Sequence, residues 1–306
     1  MSEHTTRAAF GDNPGAPVFA AASGTGWPAW EAAVALGGQG HYAAARTTLA
    51  RLARSADPVL AAAALTALAS HRRQLGAHLP AARLDGAALG RLASAGRYPL
   101  SAGRSSAGAA GPPVRHVVVD VLLGLAADSI GRGDLAAANR LHIEAVRNLG
   151  SDDSWRPNVR VAWVEAEIAL AQGAPDRALP ASKRACDIAH SSDSVRHQTK
   201  SLLVHGVTEV VLALPTGVDF LRRVIELAGA HGLYPLVWPP ATLLAEAEPD
   251  RAEYHRNGAR EALTTVLART DAPGRRLAAR SAWLPSWLLR SGDTGDAASR
   301  MNFLTD

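Results

Sequence analysis

Cys186 and His190 stand four residues apart, one helical turn, at the spacing of a thiol nucleophile and a base on one face. Cys186 directly follows Ala185, a position where two helices would have to touch, so a packed core cysteine is the better reading. Two Val-Arg-His triplets, at 114–116 and 195–197, put imidazoles near helix starts. Neither has Cys or carboxylate partners at ligand spacing, so neither reads as a metal site. No Gly-x-Ser-x-Gly elbow, Walker loop or dinucleotide fingerprint occurs. Gly131-Arg132-Gly133-Asp134 is turn chemistry between two helices. The remaining chemistry is that of cations: Arg196 and Lys200 lie one turn apart and share a helix face. Such groups bind anions without reacting with them. The chain therefore reads as a binder and not as an enzyme, with no cofactor and no metal.

The elements that would position these groups are clearest from Val121 to Val146, where two amphipathic stretches flank the Gly-Arg-Gly-Asp turn. With the turn glycine as reference, Gly40, Gly76, Gly133 and Gly173 align. Seven residues before them lie Ala33, Ala69, Ala126 and Ala166; five after lie Ala45, Ala81, Ala138 and Ala178. Twelve after lie Leu52, Ala88, Ala145 and Ala185. Small side chains let paired helices approach closely, and the glycine ends the first helix in a conformation that L-residues resist. Helix pairs of this kind cannot bury their faces alone and stack into a solenoid.

The pattern resembles the tetratricopeptide repeat, whose signature is a small residue in the first helix, a Gly–acidic–aromatic turn and two small residues in the second. Gly40-His41-Tyr42 and Gly133-Asp134-Leu135 match that turn best, and Gly76-Ala77-His78 departs from it. The closing proline of the repeat fits only near Asp57-Pro58. The resemblance covers about Trp27 to Ala189 and implies an all-α fold: helix-turn-helix repeats stacked as an α-solenoid with a degenerate C-terminal cap. Gly206 and Val218 keep the spacing of the small positions into a fifth, degenerate unit. Terminal units often degenerate because their outer face meets water.

Three domain-scale segments follow. Residues 1–26, polar and Gly/Ala-rich, read as a disordered tail; 27–290 form the solenoid; 291–306 read as a frayed tail. Within the solenoid, 97–113 (containing YPLSAGRSSAGAAGPP) reads as a flexible loop insertion. The interval from Gly76 to Gly133 is 57 residues, against 36 and 40 for its neighbours, which agrees with an insertion there. The loop could be a simple linker or a lid. Gly232 to Pro240 reads as a rigid apolar link, followed by a helix over about Asp250 to Arg269 and a cap holding Trp283 and Trp287.

Composition bounds the partners. Hydrophobic residues make up 47% of the 306, mostly Ala and Leu, with 5% aromatic, which favours helix over strand. The excess of basic over acidic residues is small, 32 against 28, and only Lys183 and Lys200 are lysines. That bias reads as the codon usage of a high-GC genome of actinobacterial type. The interleaved acids argue against nucleic acid, which needs a continuous basic face. One cysteine excludes an intrachain disulfide framework. No apolar stretch reaches membrane-spanning length and no secretory signal is visible, so a cytoplasmic protein is expected.

In the tetratricopeptide arrangement the first helices line a concave face, and the resemblance implies an inward row on each. In the third unit the row holds Asp120; in the fourth Arg160, Trp163 and Glu167; in the fifth Lys200 and Leu203, with Arg196 one turn earlier. Arg160, Arg196 and Lys200 would converge beside Trp163, suiting a carboxylate or an acidic peptide. Alternatively these cations pair with Asp120, Glu165 and Glu167. The leading expectation is a scaffold or adaptor binding a protein or peptide partner in its groove. The alternative is a regulatory sensor module binding a small anionic ligand, and an α-helical enzyme ranks third. Homo-oligomerisation stays open.

Overall fold

A computed structural model describes residues 2–99 and 111–289 of the chain. The core of the loop insertion expected at 97–113 and the C-terminal tail expected at 291–306 lie outside the described residues. Among the described residues every regular element is helical. The first two are short: α1 (Ser2–Phe10) and α2 (Phe19–Ala22). Five antiparallel pairs follow: α3 (Gly26–Gly38) with α4 (Tyr42–Leu52), α5 (Pro58–Gln74) with α6 (His78–Ser94), α7 (Val114–Gly131) with α8 (Leu135–Leu149), α9 (Trp155–Ala171) with α10 (Pro175–His190), and α11 (Val195–Val211) with α12 (Gly217–Ala230). A 3-10 turn at Tyr234–Leu236 leads to a sixth pair, α13 (Trp238–Ala247) and α14 (Ala252–Ala268). Two short helices, α15 (Ala272–Ala278) and α16 (Ser286–Leu289), complete it. This is the all-α solenoid of helix pairs that the repeat frame implies.

The frame residues do what their size requires. The eleven alanines of the frame are 0% exposed, and Leu52 is 4% exposed. At each turn the first helix ends in the same six-to-one bond, His41 N to Leu36 O at 2.8 Å and Asp134 N to Ser129 O at 2.9 Å being examples. That closure needs a left-handed residue, and Gly40, Gly76, Gly133 and Gly173 have φ of 81°, 68°, 76° and 68°. In the fifth pair the same place falls to Ala213, at φ 54°, seven residues after Gly206. Sequence caps act as their chemistry dictates: the Asp57 carboxylate accepts from Val59 N at 2.9 Å with Pro58 opening α5, and Asp134 accepts from Ala137 N at 2.9 Å.

The N-terminal segment departs from expectation. Residues read as a disordered tail form α1 and α2, and Thr5, Ala8 and Ala9 are each 1% exposed against α3. The Thr5 hydroxyl donates to Glu31 at 2.7 Å, and Gln39 donates to the Pro14 and Ala16 carbonyls. The segment then reaches the fifth unit, where Val195 N donates to Gly11 O at 3.2 Å.

The solenoid also closes on itself. Ala43 N donates to Arg269 O at 2.9 Å, joining the first unit to the end of α14. Arg72 of α5 pairs with Asp271 at 3.2 Å. Ser281 donates to Gly76 O at 3.2 Å, and the Trp283 indole donates to Gly131 O at 3.0 Å. The last helices thus return to the turns of units one to three. No helix among the described residues is long and apolar enough to cross a membrane.

Candidate functional site

The five first helices, α3, α5, α7, α9 and α11, surround a narrow lumen. A cleft of about 60 Å³ lies within it, walled by Trp30 of α3, Ala63 and His71 of α5, and Asp120 of α7. Arg156 and Arg160 enter from α9, and Arg196 and His197 from α11. Phe10, the last residue of α1, closes one side. Its ring centroid lies 5.7 Å from that of Trp30 and 6.2 Å from that of His197, with the Arg156 guanidinium 5.1 Å above it. A second, smaller cleft of about 20 Å³ shares Gln74, Arg160 and Arg196 with the first and adds Trp163, Lys200, Pro235 and Leu236.

One carboxylate meets several cations here. Asp120 is paired with Arg156 and, at 2.9 Å, with Arg160 Nε. Burial opposes ionisation of Asp120, and the two guanidiniums overcome it, holding the carboxyl below its ordinary value. His197 is stacked on Trp163 at 5.5 Å and 16°, with Trp155 edge-on at 4.9 Å. Burial, then the charges of Arg196, Arg156 and Arg160, press its pKa well below the ordinary imidazole value. It is therefore a neutral wall near pH 7, and its Nδ1 lies 2.7 Å from the Ser194 hydroxyl. Three guanidiniums, Arg156, Arg160 and Arg196, line the first cleft, and the first two pair with Asp120.

The residues read as an inward row are brought together in part. Arg160, Trp163, Arg196 and Lys200 do converge on the second cleft. Trp163 is 5% exposed and its indole donates to Ser201 at 2.9 Å. Lys200 lies 6.0 Å over the Trp163 ring and donates to Glu167 at 3.2 Å. Glu167 is fully buried beneath it. The alternative of internal ion pairs is thus realised for Lys200 with Glu167 and for Arg160 with Asp120, while Glu165 pairs with Arg184 of α10. Leu203 lines neither cleft; it packs with Leu221 and Leu243, because α12 and α13 cover that end of α11. Arg156, Phe10, Trp30 and His197 escaped the sequence reading of the site. Arg156 was open to it, lying one turn before Arg160 as Arg196 does before Lys200. Phe10 was not, because nothing in its neighbours announces a folded segment.

Other constellations resolve into braces. Burial, with Asp187 and Glu209 adding to it, pushes the Cys186 thiol up to about 12, which suits packing and not attack. Ser182, His205 and Glu209 have the composition of a nucleophile triad, at 3.0 and 3.2 Å. Ser182 is 0% exposed and its hydroxyl donates to Leu179 O, so the group ties α10 to α11. Arg73 bonds Asp85 at 2.6 Å and Asp128 at 2.9 Å, all of them buried between α5, α6 and α7. Burial pushes Asp85 up to about 8, against the pull of Arg73 and with the help of Asp128. No group of three or more metal-ligating side chains occurs among the described residues.

No family model matches the chain, and no curated protein matches it. Among solved structures, the fold is similar to that of a signal transduction ATPase with numerous domains (STAND) protein with a tetratricopeptide repeat sensor from Pyrococcus horikoshii, at a TM-score of 0.53 and 12% sequence identity. The similarity covers 85% of this chain and 40% of that protein, so the chain spans less than half of its length. At that identity the likeness is one of fold.

Proposed function

We propose that the chain is a non-catalytic binding module of the sensor kind, and that the anionic part of its ligand enters the lumen between the first helices. The observation that carries this is the gathering of three guanidiniums, Arg156, Arg160 and Arg196, from α9 and α11 into one cleft lined by Trp30 and Phe10. Guanidinium forks match carboxylate and phosphate oxygens. The similarity to a protein whose tetratricopeptide repeats form a sensor supports the same direction. A narrow lumen of buried and half-buried side chains suits a small ligand better than an extended peptide.

The adaptor reading keeps one specific support. The chain's own residues 10–11 already lie across α3 and α11 as a bound peptide would, with a backbone bond from Val195 N to Gly11 O. A partner's acidic segment at the same mouth is the second reading.

Titration of the purified chain with small anions, followed by tryptophan fluorescence, tests the proposal. Trp30 and Trp163 wall the two clefts, so occupancy should perturb their emission. The response is expected to weaken roughly tenfold in Arg196→Gln, the loss of one charged hydrogen bond. No response to any anion, or an unaltered response in the variant, would count against the lumen as the site.

A further inference from the structure

The first cleft holds about 60 Å³, whereas pockets that enclose a small molecule run to roughly 300–1,000 Å³. It has room for a few waters. A ligand can be enclosed there only if part of the wall moves. Most of that wall is fixed. Ala63 and His71 stand on α5, which is packed against α3, α4, α6 and α7, and the other first helices are held between repeats in the same way. Phe10 is different. It ends the nine-residue helix α1, and a helix of that length does not hold itself together in water.

The segment that carries Phe10 is fastened unequally at its two sides. Side-chain hydrogen bonds tie it to the first unit. Thr5 and Thr6 donate to Glu31 at 2.7 and 2.9 Å, and Thr48 donates to Ala22 O at 3.0 Å. Gln39 donates to Pro14 O at 2.7 Å and to Ala16 O at 2.9 Å. Across the lumen, on the fifth unit, the contacts are of another kind. The Phe10 ring tilts against His197 at 6.2 Å, and Val195 N donates to Gly11 O at 3.2 Å. Gly15 passes the end of α12, where a Cβ would stand 2.9 Å from His231 O. Released from the fifth unit, the segment would still be tethered at Glu31, Gln39 and Thr48. Local openings of a fold use such weakly held parts.

We infer that residues 10–16 are a strap across the lumen, and that a ligand enters by displacing Phe10 while the segment stays tethered to the first unit. This rests on the proposed reading of the lumen as an anion site and adds its regulation: the free chain is held shut by its own N-terminal segment. The strap lowers the apparent affinity by the fraction of molecules in which it is closed.

Hydrogen exchange of the full chain, read by peptide mass spectrometry, tests this together with isothermal titration of benzoate, a small anion whose ring can occupy the place Phe10 leaves. The amides of residues 6–10 are expected to exchange at least about tenfold faster than those of α3 and α11, and faster still with saturating benzoate. Phe10→Ala removes the stopper and should bind benzoate at least about tenfold more tightly than wild type. Gln39→Met removes two tethers of the strap without touching the cleft wall, and should shift affinity the same way. It carries the test if Phe10→Ala does not fold, as judged by circular dichroism. A Phe10 that only stabilises the fold would lower the melting temperature without raising affinity. If the wild type binds benzoate and neither variant binds it more tightly, the anion site stands and the strap falls. The strap falls also if residues 6–10 exchange as slowly as α3 with and without benzoate. If no folded form binds benzoate, the lumen reading falls and the strap with it.

Discussion

Asp85 is a carboxylic acid that burial keeps protonated near neutrality, at a pKa of about 8 against an ordinary 3.8. The native state then holds a proton that the unfolded chain has released. Its contribution to stability is complete below the ordinary carboxylate range and is lost as pH rises through about 8. Asn at this position cannot ionise. The melting temperature of Asp85→Asn relative to wild type should therefore shift in the variant's favour between about pH 5 and pH 9. A difference independent of pH would show that Asp85 is already ionised in the fold. Cys186 gives a second residue-scale expectation. With its thiol pushed up to about 12, a maleimide at about pH 8 should modify the native chain more than tenfold more slowly than the urea-unfolded chain, read by mass spectrometry. The placement of Cys186 was legible in the sequence, since it follows a frame alanine. Asp85 was not, because its partners Arg73 and Asp128 lie 12 and 43 positions away on other helices.

Among the elements, the helix pairs were legible because their alanines and turn glycines recur at fixed offsets, and each offset has one steric cause. Ala126, 0% exposed where α7 meets α8, should tolerate no larger side chain: Ala126→Leu is expected to destabilise by about 2 kcal/mol through overpacking, measured by urea unfolding. Ala213 breaks the frame by standing at φ 54° where the other turns place glycine. Ala213→Gly should stabilise by about 1 kcal/mol, since the left-handed strain outweighs glycine's extra freedom when unfolded. A loss of stability would mean that its methyl group is needed in the turn. The helix α1 escaped sequence reading for a physical reason. Nine residues are too few to hold a helix alone, and its stability comes from seating Thr5, Ala8 and Ala9 on α3. Phe10→Ala should open the side of the lumen and destabilise by about 2 kcal/mol, the half-buried ring contributing less than a core one.

At the scale of the whole molecule, the chain is a solenoid whose last helices dock on the turns of its first three units. Arg72 and Asp271, 199 residues apart, are each less than one-sixth exposed at that contact. A double-mutant cycle on the pair is expected to give a coupling of about 1 kcal/mol by urea unfolding. A value near zero would assign the closure to the apolar contacts of Trp283 and its neighbours instead. Closure also explains the narrowness of the lumen. An open array would leave its inner row in water, whereas here Trp163, Glu167 and Lys200 are buried.

The sequence by itself determined the periodic part of this protein. Frame alanines, turn glycines and the Asp57-Pro58 cap act within one helix pair, so their spacing along the chain is also their spacing in space. It located Arg160, Trp163, Arg196 and Lys200 on facing helices for the same reason, since a repeat carries its inward positions with it. Only the tertiary structure decided what those side chains do. Whether Lys200 meets Glu167 or a ligand, whether Arg156 joins Arg160 on Asp120, and whether Phe10 covers them all depend on how tightly successive units curve and on where the two ends dock. That curvature is the sum of small rotations at every interface between units, and no local spacing records a sum.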